Sequence, residues 1–284
     1  MKKMNMLVGL AVLASAGAAT AEVKGDLTER IRAKCEVVKT DMWYGGRRTV
    51  FKFQGREAWV VEPPEGVAVA EGCPWTWTIQ WWTAFVSRSG VPQLLQKGWR
   101  HAVLDMFDTR ARDEAMPTFA AYQDFLVKDL GFAPKVNLIG MSWGGFFSTR
   151  YAAHYPQNVA KIFLDCPLLN LGGRCGRPAG EDEIGVWAKL KPENWIDDPR
   201  MPINLAQPIA AAKIPVLLRY GGADNVLEPE LNSEIFIPRF KAAGGDIRVV
   251  YQIAYGHHPH GFEESDTTIA DFFAGNVVKK STCD

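Results

Sequence analysis

A serine attacks a carbonyl only if something takes its proton, so a serine held in an unusual place is the first feature of interest. Gly140-Met141-Ser142-Trp143-Gly144-Gly145 carries one. The spacing is G-x-S-x-G, and it lies between an apolar run, Lys135–Ile139, and a stretch of helical pattern, Trp143–His154. That context requires a sharp strand-to-helix turn that lifts Oγ out of the sheet. Glycines are needed where side chains would strike the neighbouring strand and helix. The helix behind the serine would aim backbone N–H groups and the positive end of its dipole at an oxyanion formed there. A serine hydroxyl is a weak nucleophile at neutral pH. It needs an imidazole as base, and the imidazole needs a carboxylate to fix its tautomer.

The chain has five histidines. Three of them fall in Gly256-His257-His258-Pro259-His260, after the apolar run Ile247–Ile253. Three imidazoles this close could also ligate a metal, but acidic or cysteine partners for such a site are not identifiable. No metal and no other cofactor is expected. Two aspartates end apolar runs. Asp224 closes Arg219-Tyr220-Gly221-Gly222-Ala223-Asp224, and Asp165 lies in Phe163-Leu164-Asp165-Cys166-Pro167. His154, on the helix after the serine, reads as structural. His101 opens a strand and has no assigned role.

The elements that must position these groups alternate between strand and helix, which predicts an α/β fold with a mostly parallel sheet. An opening hairpin is expected over Arg48–Phe53 and Ala58–Val61. Strands follow at Pro74–Gln80, His101–Phe107, Lys135–Ile139, Val159–Leu164, Ile214–Tyr220 and Ile247–Ile253. Helices are expected at Pro92–Lys97, Met116–Leu130, Trp143–His154, Glu230–Ala242 and Thr267–Phe273. Residues 167–207 break the rhythm. They are rich in Gly, Pro, Asn and Asp, and read as a lid-like insertion beside the sheet.

Composition narrows the classes. With 47% hydrophobic and 23% charged residues the chain is an ordinary globular sequence. Its 32 basic and 32 acidic side chains leave no footprint for nucleic acid or a polybasic membrane patch. The N-terminus differs. Lys2 and Lys3 precede the apolar run Met6–Ala19, which exits through Ala19-Thr20-Ala21. This predicts a signal peptide over residues 1–21, a periplasmic or secreted protein, and a single domain over 22–284. Loss of those two lysines takes the basic count from 32 to 30 against 32 acids, a net charge of −2. No later run is long enough to span a bilayer, so no stable membrane insertion is expected. An exported protein can hold disulfides. Of the five cysteines, Cys35, Cys73, Cys166, Cys175 and Cys283, the most plausible local pair is Cys166 with Cys175, flanking a Gly-rich loop.

On the serine motif, its strand-helix context and the order of serine, aspartate and histidine, residues 48–276 resemble the α/β-hydrolase superfamily. The resemblance implies a nucleophile at Ser142, an acid at Asp224 and a general base at His257. Asp165 is the rival acid, since some relatives place theirs after the preceding strand. His258 and His260 are the alternative bases. The resemblance also implies an oxyanion hole, with Trp143 N–H as one donor, the second coming from the loop after Pro74–Gln80, and Thr78, near the end of that strand, as the candidate residue. Pro74-Trp75-Thr76-Trp77 and Gly256-His257-His258-Pro259-His260 look like a bacterial esterase subgroup that carries Pro-Trp-x-Trp-Arg. Thr78 stands where that subgroup has arginine, so any substrate contact by that side chain is absent. Trp77 and Trp81 are candidate substrate contacts, with core packing as the alternative for the tryptophans.

The expected function is a serine carboxylic-ester hydrolase working through an acyl-enzyme. Its partner would be a small-molecule or polysaccharide ester, such as an acetyl or methyl ester of a carbohydrate. The rival readings are a serine peptidase of prolyl-oligopeptidase type and a non-catalytic binding protein on a hydrolase scaffold. The oligomeric state is left open.

Overall fold

The computed structural model describes residues 26–175, Trp187 and 195–275. The expected signal peptide, Cys283 and residues 176–186 and 188–194 of the proposed insertion lie outside the described residues. Nine strands form one sheet: β1 (Glu36–Trp43), β2 (Gly46–Phe53), β3 (Arg56–Pro64), β4 (Trp75–Gln80), β5 (Arg100–Leu104), β6 (Val136–Met141), β7 (Val159–Asp165), β8 (Val216–Gly221) and β9 (Ile247–Gln252). Their order is β1-β2-β3-β5-β4-β6-β7-β8-β9. The first three strands and the β3–β5 pair are antiparallel, and every pair from β5 to β9 is parallel.

Parallel strands need crossover connections, and these place helices on both faces. One face carries α1 (Leu27–Arg32), α3 (Met116–Asp124), α4 (Trp143–His154), α5 (Ala206–Ala211) and α6 (Ser233–Ala242). The other carries α2 (Val91–Gln96) and α7 (Thr268–Ala274). Alternation along each strand feeds the two cores. Trp75, Trp77 and Ile79 of β4 join the larger one, as do Leu138 of β6 and Ile162 of β7. Ile139 and Phe163 face the smaller one. Both faces being covered explains why β4, β5 and β6 read as continuous buried runs.

The expected elements are present with small shifts at their ends. The predicted helix over Met116–Leu130 stops at Asp124 and continues as a π-helical turn, Phe125–Asp129. Strand β1 is absent from the sequence-based reading for a physical reason. It is an edge strand with no buried residue, so it has no apolar alternation to detect. The described parts of the 167–207 segment pack against the body of the protein. Leu168, Leu169, Leu171, Trp187, Trp195 and Ile203 all belong to the larger core. Trp187 meets Phe146 of α4 edge-on, beneath the guanidinium groups of Arg150 and Arg200.

Candidate active site

The serine turn is built by close packing. Ser142 sits between β6 and α4 with φ 51° and ψ −119°, a conformation that costs a non-glycine residue on the order of 1–3 kcal/mol and persists only where the surroundings impose it. They do so here. A Cβ at Gly144 would lie 1.8 Å from the Gln80 carbonyl oxygen at the end of β4, and one at Gly140 would lie 2.7 Å from the Gly144 carbonyl oxygen. Only hydrogen fits at either place. Backbone bonds complete the clamp. Ser142 N–H donates to the Asp165 carbonyl at 3.1 Å, and the Ser142 carbonyl accepts from Gly145 and Leu168 N–H, both at 2.9 Å. The serine is half-buried and reachable.

Three side chains distant in sequence meet at this corner. Ser142 Oγ lies 3.0 Å from His257 Nε2, and His257 Nδ1 lies 2.8 Å from Asp224 Oδ2. An ionised carboxylate only accepts, so Nδ1–H donates to it and Nε2 is left free to take the serine proton. Asp224 sits in the turn after β8, where its Oδ1 accepts from Val226 and Leu227 N–H at 2.9 Å each. Burial pushes its carboxyl pKa up, but the hydrogen bond from His257 and the two backbone donors outweigh this and hold it below the usual range. This contact with His257 holds the imidazole in orientation through Nδ1.

The rival residues lie close by in other bonds. Asp165 is fully buried, and its Oδ1 accepts from Arg219 Nη1 at 2.9 Å. Its Oδ2 accepts from Gly261 N–H and faces His260 Nδ1 at 3.7 Å. Burial raises its pKa, and His260, Arg219 and Gly261 together lower it below the ordinary value. His258 is exposed beside the Phe85 ring, its pKa lowered first by desolvation and then by the two neighbouring imidazoles. Each of His257, His258 and His260 offers a ring nitrogen within 4.8 Å of the others, and Cys166 with Asp224 or Asp165 extends the donor set. Both nitrogens of His257 are already engaged in the serine–aspartate chain, so a cation there would compete with it.

The oxyanion donors divide. Trp143 begins α4, where the backbone N–H has no intrahelical partner and faces the serine corner. Thr78 does not serve. It lies inside β4, 3% exposed and in register with Ile139 of β6, two residues short of the strand end. The backbone that reaches the serine turn is that of Gln80, at the strand end. The tryptophans divide similarly. Trp77 is 0% exposed among Phe119, Tyr122 and Tyr151, so it is a core residue and not a substrate contact. Trp81 is 36% exposed, and its ring lies 4.6 Å from that of Phe107, which in turn meets Trp143. By its sequence Phe107 only closes a predicted strand and carries no sign of a site. In the structure it opens a 3-10 turn above the sheet.

The expected Cys166–Cys175 disulfide is not formed, and Cys35, Cys73, Cys166 and Cys175 are free thiols. Cys166 is buried with its Sγ directed to the Gly256 carbonyl, while Cys175 Sγ points to the Asp224 carbonyl. Burial pushes the Cys166 thiol far above its usual pKa, which disfavours the reactive thiolate. His101 packs against Trp43 and accepts from or donates to Thr76, remote from the site. His154 bonds the Arg150 carbonyl and faces Asp113, as a structural residue would.

A family model described as the alpha/beta hydrolase fold matches residues 80–178. No curated protein matches the chain. Among solved structures it is similar to an S-formylglutathione hydrolase from Agrobacterium tumefaciens, at 17% identity and a TM-score of 0.54, over 78% of this chain and 92% of that one. It is similar to an acylaminoacyl peptidase from Pyrococcus horikoshii, at 14% and 0.56, over 78% and 38%. It is also similar to dipeptidyl peptidase 4 from Porphyromonas gingivalis, at 14% and 0.58, over 82% and 35%. The chain thus spans just over a third of either peptidase. The mostly parallel sheet, its flanking helices and these similarities identify the chain as having the α/β-hydrolase fold.

Proposed function

We propose that the protein is an exported serine carboxylic-ester hydrolase in which Ser142, His257 and Asp224 act as nucleophile, base and acid. The observation that carries this is the unbroken chain Ser142 Oγ, His257 Nε2, His257 Nδ1, Asp224 Oδ2, at 3.0 and 2.8 Å, on a strained and accessible corner. Oγ bonds to the ester carbonyl carbon as its proton passes to Nε2. The carbonyl oxygen becomes an oxyanion facing Trp143 N–H and the Trp81–Trp82 backbone. His257 then hands its proton to the leaving alcohol, the ester C–O bond breaks, and an acyl-serine remains. Water repeats the sequence, giving its proton to His257 and releasing acid and free serine.

The ester reading is favoured by the Pro74–Trp77 and Gly256–His260 segments, which resemble an esterase subgroup, and by the 92% span of the S-formylglutathione hydrolase. A carbohydrate ester fits the surroundings. Trp81 packs near Phe107, and Phe107 also lines a groove of about 640 Å³ with Lys52, Arg56, Glu57, Asp105 and Asp108. Such a lining suits a hydroxylated substrate. The peptidase reading is favoured by the similarity to the two peptidases. The mature protein and its Ser142→Ala variant, assayed on p-nitrophenyl acetate, acetylated and methyl-esterified polysaccharides, and proline-containing peptides, decide between them. Ester turnover lost in the variant supports the proposal. Equal rates in both proteins refute it, and peptide cleavage without ester turnover transfers the site to the peptidase reading.

A further inference from the structure

Beneath the serine, histidine and aspartate lies a second buried ionic group that the proposed mechanism does not use. Asp165 ends β7, is 0% exposed, and touches all three segments that carry the proposed catalytic residues. Its backbone carbonyl accepts Ser142 N–H at 3.1 Å. Its Oδ2 accepts Gly261 N–H, four residues beyond His257 in the same loop. Its Oδ1 accepts Arg219 Nη1 at 2.9 Å from β8, the strand that leads to Asp224. The Arg219 guanidinium lies 3.7 Å over the Tyr255 ring, on the other side of His257 in the chain. Arg88 ties the same loop from outside, with Nε donating to the His260 carbonyl and Nη2 to Tyr255 Oη.

We infer that Asp165, with Arg219 as its counter-charge, is a positioning residue that locks the histidine loop against the serine turn and sets the charge balance beneath His257. This rests on the triad reading above and deepens it. An unpaired buried carboxylate would be prohibitive, and so would an unpaired buried guanidinium, so the two are retained as a pair. As a pair they are close to neutral toward the imidazole above. The groups facing His257 are Asp224, Ser142, Cys166, His258 and His260. Those facing Asp165 are Arg219, His260, Cys166 and Gly261 N–H. Removing one member of the pair leaves the other's charge next to this cluster, with opposite consequences for a protonated imidazole.

The test is the pH profile of kcat/KM on p-nitrophenyl acetate for Asp165→Asn and Arg219→Gln. Asp165→Asn leaves the guanidinium uncompensated, which disfavours imidazolium, so the acid limb moves to lower pH by about one unit. Arg219→Gln leaves the carboxylate uncompensated, so the acid limb moves to higher pH. In both, kcat falls by about 10²-fold through loss of loop placement, while KM changes by less than about threefold. A residue that only stabilises the fold would lower melting temperature without moving the acid limb in opposite senses. Because the shifts are signed, either variant alone decides if the other does not fold. Acid limbs unchanged from the parent overturn the inference. Ser142→Ala separates the two claims. If it is inactive while both pair variants keep the parent profile, the triad stands and the clamp falls. If Ser142→Ala is fully active, the triad reading itself falls.

Discussion

Strand β4 and the loop it enters hold two environments a few residues apart. Trp75 and Trp77 lie in the body of the sheet, fully buried among aromatic rings. Gln80 and Trp81 lie at its crest, where a carbonyl presses on Gly144 and an indole stays 36% exposed. β6 repeats the contrast, with Leu138 in the core and Ser142 on a strained corner just past Met141. The body depends on volume and shape, which many side chains supply. The crest depends on a few atoms held at fixed separations, which almost no substitution preserves. Stability and activity should therefore respond to different residues, and that separation can be measured.

The largest expected effect is at the proposed nucleophile. Ser142→Ala should lower esterase kcat by about 10⁴-fold or more, with an unchanged melting temperature. Asp224→Asn should cost about 10⁴-fold, because the imidazole would lose the partner that fixes its tautomer. Gly144→Ala tests the crest by shape alone. A Cβ 1.8 Å from a backbone carbonyl must displace β4 or α4, so activity should vanish although no reacting atom is altered. If that variant keeps parent activity, the close packing of the serine turn is wrong.

The body gives the reverse signature. Trp77→Ala should cost about 3–5 kcal/mol in denaturant unfolding. His101, also in the body, acts through pH, because burial holds it neutral with a pKa of about 3 against the ordinary 6.5. The unfolded chain takes up a proton below pH 6.5 that the native protein refuses until about pH 3, so stability falls with pH across that window. His101→Gln removes this dependence. The difference between parent and variant should change by about 3 kcal/mol between about pH 7 and pH 4, read from urea unfolding at each pH. The smallest effect on stability is at the crest. Trp81→Ala should leave it within about 0.5 kcal/mol and raise KM for a carbohydrate ester. A KM change confined to Trp77 would invert the comparison.

The same contrast governs what was legible before the structure. Most elements with a buried face announced themselves through apolar runs and periodicity, although the six-residue helices α1 and α5 did not. β4 to β8 and the helix after Ser142 fall close to expectation. The exposed edge strand β1 gave no such signal. Ser142, Asp224 and His257 stand out because each lies at a strand end in a local pattern of its own. Thr78 and Trp77 do not sort correctly, because they share one short segment with Trp81. Along a strand, which of several neighbours lies at the crest depends on register against β6, and register is a pairing between distant segments. The cysteine pair failed for a similar reason, since proximity in sequence does not aim two Sγ atoms at each other.

Residue types and their order along the chain determined the fold class, the strand-to-helix turn at Ser142 and a short set of candidate bases and acids. These are local properties, carried by glycine size, helix polarity and strand hydrophobicity. Tertiary structure alone decided that His257 and not His258 or His260 reaches the serine, and that Asp224 and not Asp165 bonds it. It also left Asp165 to Arg219 and the loop beneath. Such choices turn on separations of a few ångströms between segments 33 to 115 residues apart, and the relative position of distant segments is set only when the whole sheet has packed.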